Sequence, residues 1–405
     1  MAQVAVLGAG MVGICTALAL QERGHECLVV DRTGAGSETS YGNAGIIQSE
    51  AVEPYSLPAN PWALFRLALG WKNAVALHWT SLPRQIPDLY SYWRSSAPKF
   101  LNNVLPLWSE LIGEALSSHK ALIQAAQADH FIQTSGYWEV HRTEPGLQSA
   151  IAEAERRRQR YGIEFRVASS NALSVAEPEL NAKFAGAIHW TSPLTCTAPG
   201  ELVKAYARLF ERRGGKIVKG DAFSLTEDKN GWQVVGEEAE HVVVALGPWS
   251  PDLLKTLSYR IPMVRKRGYH VHFKGTRGPS RPMLLADHSI VLSPMLKGLR
   301  IATGAELSGH AQPADFPRQL ARGKAVVRTM FSIDEQVEPT PWSGIRPCLP
   351  GMLPLVCKAP RHSRLWFNFG HGHQGFTLGP VTAARLARAF DGETRAIAGL
   401  DTGIH

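Results

Sequence analysis

The beginning of the chain carries the pattern of a strand, a glycine-rich turn, a helix and a second strand. The turn reads G-x-G-x-x-G, with Gly8, Gly10 and Gly13, and it directly follows an apolar run at residues 4–7. The second apolar strand ends on Asp31. This arrangement predicts a Rossmann-like dinucleotide-binding unit. Gly8 permits the tight turn, Gly10 lets a pyrophosphate approach the backbone, and Gly13 lets the helix pack close to the strand.

The motif alone does not distinguish NAD from FAD, since both cofactors bind to such a turn. Asp31 is placed to accept hydrogen bonds from the ribose hydroxyls of either cofactor. Residues 37–45 form a polar, glycine-punctuated stretch without helical or strand periodicity. Such a loop favours a long, extended cofactor that needs many backbone and hydroxyl contacts, while an NAD-dependent dehydrogenase stays an alternative.

A second glycine-rich loop lies near the C-terminus. An apolar strand at 365–369 runs into glycine-rich residues 370–375, and a helical pattern with small residues follows. A loop of this kind makes a concave backbone that faces a ligand. His371 and His373 are metal-binding residue types, but glycines flank both and no carboxylate or cysteine lies near them in the sequence. We therefore predict no metal site here.

Composition excludes several classes of protein. The 405 residues are 44% hydrophobic and 19% charged, which is typical of a globular protein with two or three domains. The net charge is +8, but the basic residues are scattered, so we predict no nucleic-acid partner; an anionic substrate or membrane surface explains the excess equally well. Five cysteines without a C-x-x-C pair indicate free thiols and no iron–sulfur centre. Because we find neither a charged leader nor an uninterrupted apolar run of about 18 residues, we expect a cytoplasmic location.

The two glycine-rich ends resemble a known family. The loop at residues 37–45, taken with the N-terminal fingerprint, resembles the FAD-dependent D-amino acid oxidase superfamily, and most closely its bacterial D-amino acid dehydrogenases. The resemblance covers nearly the whole chain and is specific at the two ends. It implies FAD as the cofactor. The position of Cys348 does not match that of the cysteine in relatives with covalent flavin, so we expect non-covalent binding.

The resemblance also implies an α/β fold with two domains. A Rossmann-like FAD-binding domain, discontinuous in sequence, is predicted from residues 1–50, 186–260 and 340–405. Residues 51–185 and 261–339 are predicted to form a substrate-binding domain built on a mostly antiparallel sheet, which is the α+β part of the molecule.

The predicted FAD-binding residues lie in the glycine-rich turns and in the polar loop between them. They are Gly8, Gly10, Gly13, Asp31, Arg32, Ser40, Asn43, Ala44, Gly45, Gly247, Gly370, His371, Gly372, Gly375, Phe376 and Thr377. In the family, the helix after the last of these residues points its N-terminus at the flavin pyrimidine, where its positive end stabilises negative charge.

Arg346 is the strongest candidate for contact with the substrate. Residues 344–347 reproduce the family pattern Gly-x-Arg-Pro, whose arginine binds the substrate carboxylate. A planar guanidinium matches a carboxylate in a bidentate manner. The alternative is a structural arginine paired with a surface acid. Tyr269 is a second candidate, to contact the carboxylate or cap the pocket, and an ordinary strand tyrosine is an equal alternative.

The resemblance implies oxidative deamination of D-amino acids to 2-oxo acids and ammonia. Arg346 holds the carboxylate, the neutral amine reacts, and a hydride passes from the α-carbon to flavin N5. The electrons then go to a quinone or another acceptor, such as an artificial dye. Three alternatives stay open: an oxidase that uses oxygen, an enzyme for secondary amines such as D-hydroxyproline or sarcosine, and a flavin subunit of a larger complex.

Residues 54–110 are rich in tryptophan and proline. Trp62, Trp71, Trp79, Trp93 and Trp108 all fall in this segment. They predict either the core or lid of the substrate domain, or a peripheral contact with the inner face of the cell membrane. The residues alone leave both interpretations open.

Overall fold

The computed structural model describes residues 1–58, 60, 62, 75–77, 81–229, 231–275, 278–394 and 397. Trp71 and Trp79 lie outside the described residues. Two large sheets organise this part of the chain, one mostly parallel and one mostly antiparallel. The predicted mixed α/β fold is confirmed.

The mostly parallel sheet has six strands. In spatial order they are Lys216–Lys219, Glu26–Asp31, Gln3–Leu7, His241–Val244, Leu365–Phe369 and Leu355–Lys358. All neighbours are parallel except the last pair. The central strands are runs of apolar residues because helices or loops cover both faces of such a sheet. The Rossmann-like unit predicted from the glycine motif is thereby confirmed.

Glycines let the first helix pack closely against its surroundings. The helix Met11–Glu22 follows the turn directly. A Cβ atom on Gly13 would lie 1.8 Å from the carbonyl oxygen of Gly8, so only glycine fits there. The same helix packs against the C-terminal helix Gly375–Phe390, where a Cβ atom on Gly379 would lie 2.7 Å from Met11 Cγ. The two ends of the sequence therefore meet in one core.

The second large sheet has ten strands. They are Val75–Leu77, Ala305–Leu307, Val264–Phe273, Gly298–Ala302, Ile290–Met295, Met283–Leu285, Tyr137–His141, Gly186–Trp190 and Phe165–Ser169 in spatial order, with Trp342–Cys348 paired to Val264–Phe273. Most neighbours are antiparallel, as predicted for the substrate domain.

Two strands of this second sheet fall in segments that the predicted domain boundaries assign to the FAD-binding domain. They are Gly186–Trp190 and Trp342–Cys348, and both pair with strands of the predicted substrate domain. The division into domains stays a prediction. These pairings indicate that such boundaries would fall after residues 190 and 348.

The remaining described elements are helices and two small sheets. The other α-helices are Leu82–Ser95, Pro98–Ala126, Glu144–Tyr161, Ser170–Ala176, Pro199–Arg212, Ser250–Thr256 and Arg318–Arg328. One small sheet contains Thr226–Glu227, Trp232–Val234 and Glu237–Ala239, and the other contains Ile46–Ile47, Leu194–Cys196 and Ile132–Gln133. In the part of the chain that the structure describes, no helix has the length and apolar character to cross a bilayer.

The tryptophans of residues 54–110 divide between core and surface. Trp108 is buried, and its indole N–H donates to the carbonyl of Ala51 at 2.8 Å. Trp93 donates to the carbonyl of Pro58 at 3.2 Å. Trp62, in contrast, is 65% exposed. Trp108 thus fits the interpretation of this segment as core or lid, and Trp62 fits that of a membrane contact.

Candidate active site

A cavity of about 800 Å³ is lined by residues of both large sheets. The lining includes the glycine turn and the loop that contains Ser40. It also includes Arg346 and its neighbours on the strand Val264–Phe273. The loop before the helix Gly375–Phe390 contributes further lining residues. The cavity therefore joins the predicted cofactor residues to the predicted substrate residue.

The glycine turn presents bare backbone to this cavity. Gly8 has φ +107°, and a Cβ atom on it would lie 2.7 Å from the carbonyl oxygen of Ala245. No side chain caps the following helix at Gly10. The N–H of Met11 donates to Ser40 Oγ at 2.9 Å, which ties the polar loop to the turn. A pyrophosphate fits this position because a helix N-terminus supplies N–H donors and a positive dipole end.

Asp31 holds the turn from the end of its strand. Its Oδ2 accepts a hydrogen bond from the N–H of Ala9 at 2.8 Å, and its Oδ1 accepts from the N–H groups of Thr33 and Gly34. The carboxylate also lines the cavity. Asp31 therefore stabilises the glycine turn, a structural role that the motif did not indicate. Its contact with a ribose stays a prediction.

Most of the predicted cofactor residues line the cavity. They are Gly8, Gly10, Asp31, Arg32, Ser40, Asn43, Ala44, Gly247, His371, Gly372, Gly375 and Phe376. Arg32 lies with its guanidinium 4.3 Å from the ring centroid of Trp249, another lining residue, and it pairs with Glu38. This part of the cavity lining therefore contains an aromatic ring, that of Trp249, and the opposite charges of Arg32 and Glu38.

Four predicted residues lie behind the cavity lining. Gly13 packs against the turn, and a Cβ atom on Gly45 would lie 2.2 Å from the carbonyl oxygen of Cys196. Gly370 has φ +88°, which favours glycine. Thr377 is buried and accepts a hydrogen bond from the N–H of Gln48 at 3.3 Å. Their contacts here shape the wall, and a direct contact with FAD stays a prediction.

Arg346 is a partly buried cation without an acidic partner. Its guanidinium donates to the carbonyls of Gly304 at 3.3 Å and Thr303 at 3.4 Å. Among the described residues, no carboxylate lies within ion-pair distance of it. Burial lowers the pKa of Arg346. A Cβ atom on Gly268 would lie 2.8 Å from its Nη2, so the glycine makes room for the guanidinium. A buried cation is usually paired, so an anionic ligand would stabilise Arg346 in this cavity.

Tyr269 lines the same cavity, but its hydroxyl is already engaged. It donates to Glu306 Oε2 at 2.6 Å and accepts from the N–H of Ala314 at 3.1 Å. Tyr269 is 3% exposed. Its ring is thus available as a wall of the pocket, while its contact with a substrate carboxylate stays a prediction.

Two residues that line the cavity with Arg346 were not predicted from the sequence. Tyr55 lines the cavity with its ring centroid 4.9 Å from that of His373, and its hydroxyl lies 3.5 Å from Gln48 Nε2. It comes from a segment without regular periodicity, so no pattern indicated it. Lys266 also lines the cavity from the strand Val264–Phe273. In the sequence, the available indication was a lysine within a predicted strand. The structure shows that all residues of this strand are buried.

Of the two histidines in the C-terminal loop, His371 is hydrogen-bonded within the protein and His373 contacts the ring of Tyr55. His371 is buried and its Nε2 lies 2.9 Å from Thr382 Oγ1, and burial lowers its pKa to about 3. Over the described residues, no group of three potential metal ligands comes together. The loop thus contributes its backbone and the packed rings of its histidines to the cavity lining.

The C-terminal helix begins at the cavity. Gly375 and Phe376, in its first turn, both line it. Gln374 Nε2 donates to Gln48 Oε1 at 2.7 Å, and no side chain caps the helix. The positive end of the helix dipole therefore lies beside the same cavity as Arg346.

These features are those of a dinucleotide-dependent enzyme whose cofactor cavity also contains an arginine without an acidic partner among the described residues. The family model described as FAD dependent oxidoreductase (DAO) matches residues 3–389, and the chain belongs to this family. It is 25% identical over 406 residues to the D-amino-acid oxidase of Bradyrhizobium diazoefficiens, with 96% of this chain and 95% of that protein covered. It is 29% identical over 437 residues to the D-amino acid dehydrogenase of Dechloromonas aromatica, with 96% and 97% covered. The crystal structure of iminodiacetate oxidase from Chelativorans sp. BNC1 matches with a TM-score of 0.72 at 17% identity and 98% coverage of both chains.

The predicted family, cofactor and enzyme class are confirmed: the protein is an FAD-dependent oxidoreductase. The structure fits FAD because the open glycine turn and the second glycine-rich loop line one continuous cavity. Cys348 is buried, and burial raises the pKa of its thiol. Non-covalent attachment stays a prediction.

Proposed function

We propose that the enzyme oxidises D-amino acids to imino acids, which hydrolyse to 2-oxo acids and ammonia. The observation that carries this proposal is Arg346, a partly buried cation that faces the cavity and, among the described residues, donates its hydrogen bonds to carbonyl oxygens and pairs with no carboxylate. The names of the curated relatives, D-amino acid dehydrogenase and D-amino-acid oxidase, support the D configuration of the substrate.

Arg346 binds and orients the substrate in this proposal. Its planar guanidinium holds the α-carboxylate in a bidentate manner, which fixes the α-carbon in one place. Tyr55 lines the same cavity and offers a hydroxyl, while the ring of Tyr269 limits the pocket. FAD, when bound, supplies the acceptor for the hydride that leaves the α-carbon.

The charges of the site prepare the amine for reaction. Arg346 and Lys266 are both cationic and both line the cavity. Nearby positive charge lowers the pKa of the substrate ammonium group, which favours the neutral amine. Loss of a hydride then leaves a cationic imine that water hydrolyses. The reaction needs no side-chain base at the α-carbon, since its hydrogen departs as a hydride.

The start of the C-terminal helix stabilises negative charge in the proposed site. Its first-turn N–H groups and dipole lie at the cavity, held there by Gln374 and by the packing of Phe376. A preorganised positive end costs no reorganisation when charge develops. The protein therefore contributes orientation and electrostatics to the reaction.

The electron acceptor and the membrane contact complete the proposal. A dehydrogenase passes its electrons to a quinone or, in an assay, to an artificial dye. Trp62, Ile86 and Tyr90 are 65%, 56% and 58% exposed. These exposed side chains support a peripheral contact with the membrane, where a quinone is found.

The test is anaerobic reduction of the purified enzyme, followed by its visible spectrum. We expect D-amino acids to bleach the flavin band and their L-isomers to leave it unchanged. Arg346→Met should raise the concentration needed for half-maximal bleaching by about 100-fold or more, because a charged hydrogen-bonded pair is lost.

The control is Arg158→Met, which removes a cation from an exposed helix position paired with Glu155. It should behave as the wild type. The same titration with sarcosine and D-hydroxyproline tests the secondary-amine alternative. Bleaching by these amines alone, or wild-type behaviour of Arg346→Met, would contradict the proposal. Reduction that requires a second protein would indicate a subunit of a complex.

A further inference from the structure

Lys266 is the direct neighbour of Arg346 in the sheet. The two residues are register partners on the antiparallel strands Val264–Phe273 and Trp342–Cys348. Directly opposite residues point to the same face, with Cβ atoms about 4.5–5.5 Å apart. Both residues line the cavity, and Lys266 is 7% exposed. The cavity lining thus contains two cations side by side.

Within the part of the chain that the structure describes, the ammonium group of Lys266 has one hydrogen-bond partner. Its Nζ donates to the hydroxyl of Tyr92 at 3.0 Å and lies 4.1 Å from the centroid of that ring. The Tyr92 hydroxyl in turn donates to the carbonyl of Tyr55 at 2.7 Å. An ammonium group has three donors, so this arrangement leaves donors for a ligand. It also fixes the direction in which Lys266 points.

No acid in the described part of the chain balances the pair. The ion pairs of the other cations lie elsewhere, and none includes Lys266 or Arg346. The cavity does contain carboxylates, but they have other partners. Glu38 pairs with Arg32, and Glu139 contacts His141 and the indole of Trp190. The protein therefore leaves two adjacent positive charges uncompensated.

Two buried like charges are costly unless a ligand neutralises them. Burial and the nearby charge of Arg346 both lower the pKa of Lys266. An amino acid with one carboxylate would balance one of the two cations. A substrate with two carboxylates would balance both and would use the free donors of the ammonium group.

We propose that Lys266 binds a second carboxylate of the substrate, so that the enzyme prefers acidic D-amino acids to neutral ones. Arg346 holds the α-carboxylate, and Lys266 holds the carboxylate of the side chain. This inference rests on the proposed function because it assigns the substrate class of the same site. Lys266 acts here as a specificity-determining residue.

The test compares ligands that differ by a single charge. Succinate and its half-amide succinamate have nearly the same shape, and neither undergoes the reaction. Each is titrated into the FAD-loaded enzyme, and binding is followed by the shift of the flavin absorbance band. We expect succinate to bind about tenfold more tightly than succinamate, since a buried charged hydrogen bond is gained.

Two variants assign this preference to Lys266. In Lys266→Met the ratio of the two dissociation constants should fall to about one, because the neutral side chain fills the same space. Lys274→Met is the matched control: it removes an exposed lysine that pairs with Glu335 just beyond the same strand. This variant should keep the wild-type ratio.

Equal binding of succinate and succinamate by the wild type would overturn the inference, as would a preference that survives in Lys266→Met. If that variant does not bind FAD, the wild-type ratio alone decides.

A second measurement separates this inference from the proposed function. If D-alanine bleaches the flavin but D-aspartate does so no better than D-asparagine, the inference fails and the proposed function stands. If no D-amino acid bleaches the flavin, the proposed function fails, and the binding ratio still reports on Lys266.

Discussion

The Nε2 atom of His119 lies 2.9 Å from the carbonyl oxygen of Phe376, and both residues are buried. Its Nδ1 atom lies 3.3 Å from the hydroxyl of Tyr206. His119 belongs to the long helix Pro98–Ala126, whereas Phe376 lies in the first turn of the C-terminal helix and lines the cavity. The histidine therefore anchors the cavity end of that helix to the core.

We expect His119→Ala to weaken both the fold and the cofactor site. Removing the imidazole leaves buried polar groups without partners, which costs about 1–3 kcal/mol of unfolding free energy. The start of the C-terminal helix loses its anchor, so the dissociation constant of FAD should rise. Urea unfolding and fluorescence titration with FAD measure the two effects. His130→Ala, at an exposed position, is the control and should leave both unchanged.

Acid should destabilise the protein through its buried neutral histidines. Burial lowers the pKa of His119 from 6.5 to about 4 and that of His371 to about 3. In the unfolded chain both take up a proton near the ordinary value, whereas in the folded chain they stay neutral. The unfolded state therefore binds more protons between these limits, and stability falls as the pH drops below about 6.5.

For His119 this loss amounts to about 3 kcal/mol by pH 4, at roughly 1.4 kcal/mol per pH unit. The variant His119→Gln keeps a donor but does not titrate. Its unfolding free energy, measured in urea at pH 7 and pH 4.5, should therefore fall less on acidification than that of the wild type. Equal losses in the two proteins would show that His119 does not carry the effect.

The sequence predicted the parts of the fold that local patterns encode. The G-x-G-x-x-G turn has a steric cause, since Gly8 and Gly13 leave no space for a Cβ atom, and this cause is visible in one short segment. The role of Lys266 was not visible because it depends on pairing with Arg346, 80 residues later in the chain. Tyr55 reaches the cavity from a segment without periodicity, so only the tertiary structure places it there.

The strand at 342–348 shows why the sequence alone does not set a domain boundary. The segment at 342–348 precedes a strand of the parallel sheet in sequence, yet it pairs with Val264–Phe273 in the antiparallel sheet. Strand pairing is set by long-range contacts. Nothing within the seven residues of this strand indicates which of the two sheets it joins. The same pairing brings Arg346 into the cavity.

Asp31→Asn should weaken the glycine turn. The carboxylate accepts hydrogen bonds from three backbone N–H groups, and an amide would place its own N–H₂ group against at least one of them. We expect a loss of about 1–3 kcal/mol in unfolding free energy. FAD should also bind more weakly, which ultrafiltration and absorbance of the bound fraction can measure. Asp315→Asn, at an exposed position, should match the wild type.

Gly8→Ala and Gly24→Ala form a matched pair that separates backbone strain from steric exclusion. Both glycines have positive φ, +107° and +87°, so alanine is strained at either position by roughly 1–2 kcal/mol. A Cβ atom at position 8 would also lie 2.7 Å from the carbonyl oxygen of Ala245, whereas nothing lies within 4 Å at position 24. We therefore expect Gly24→Ala to lower stability modestly and to keep FAD. Gly8→Ala should displace the turn from the end of the parallel sheet and lose FAD on gel filtration. Retention of FAD by Gly8→Ala at the wild-type level would show that the turn can move without closing the cofactor site.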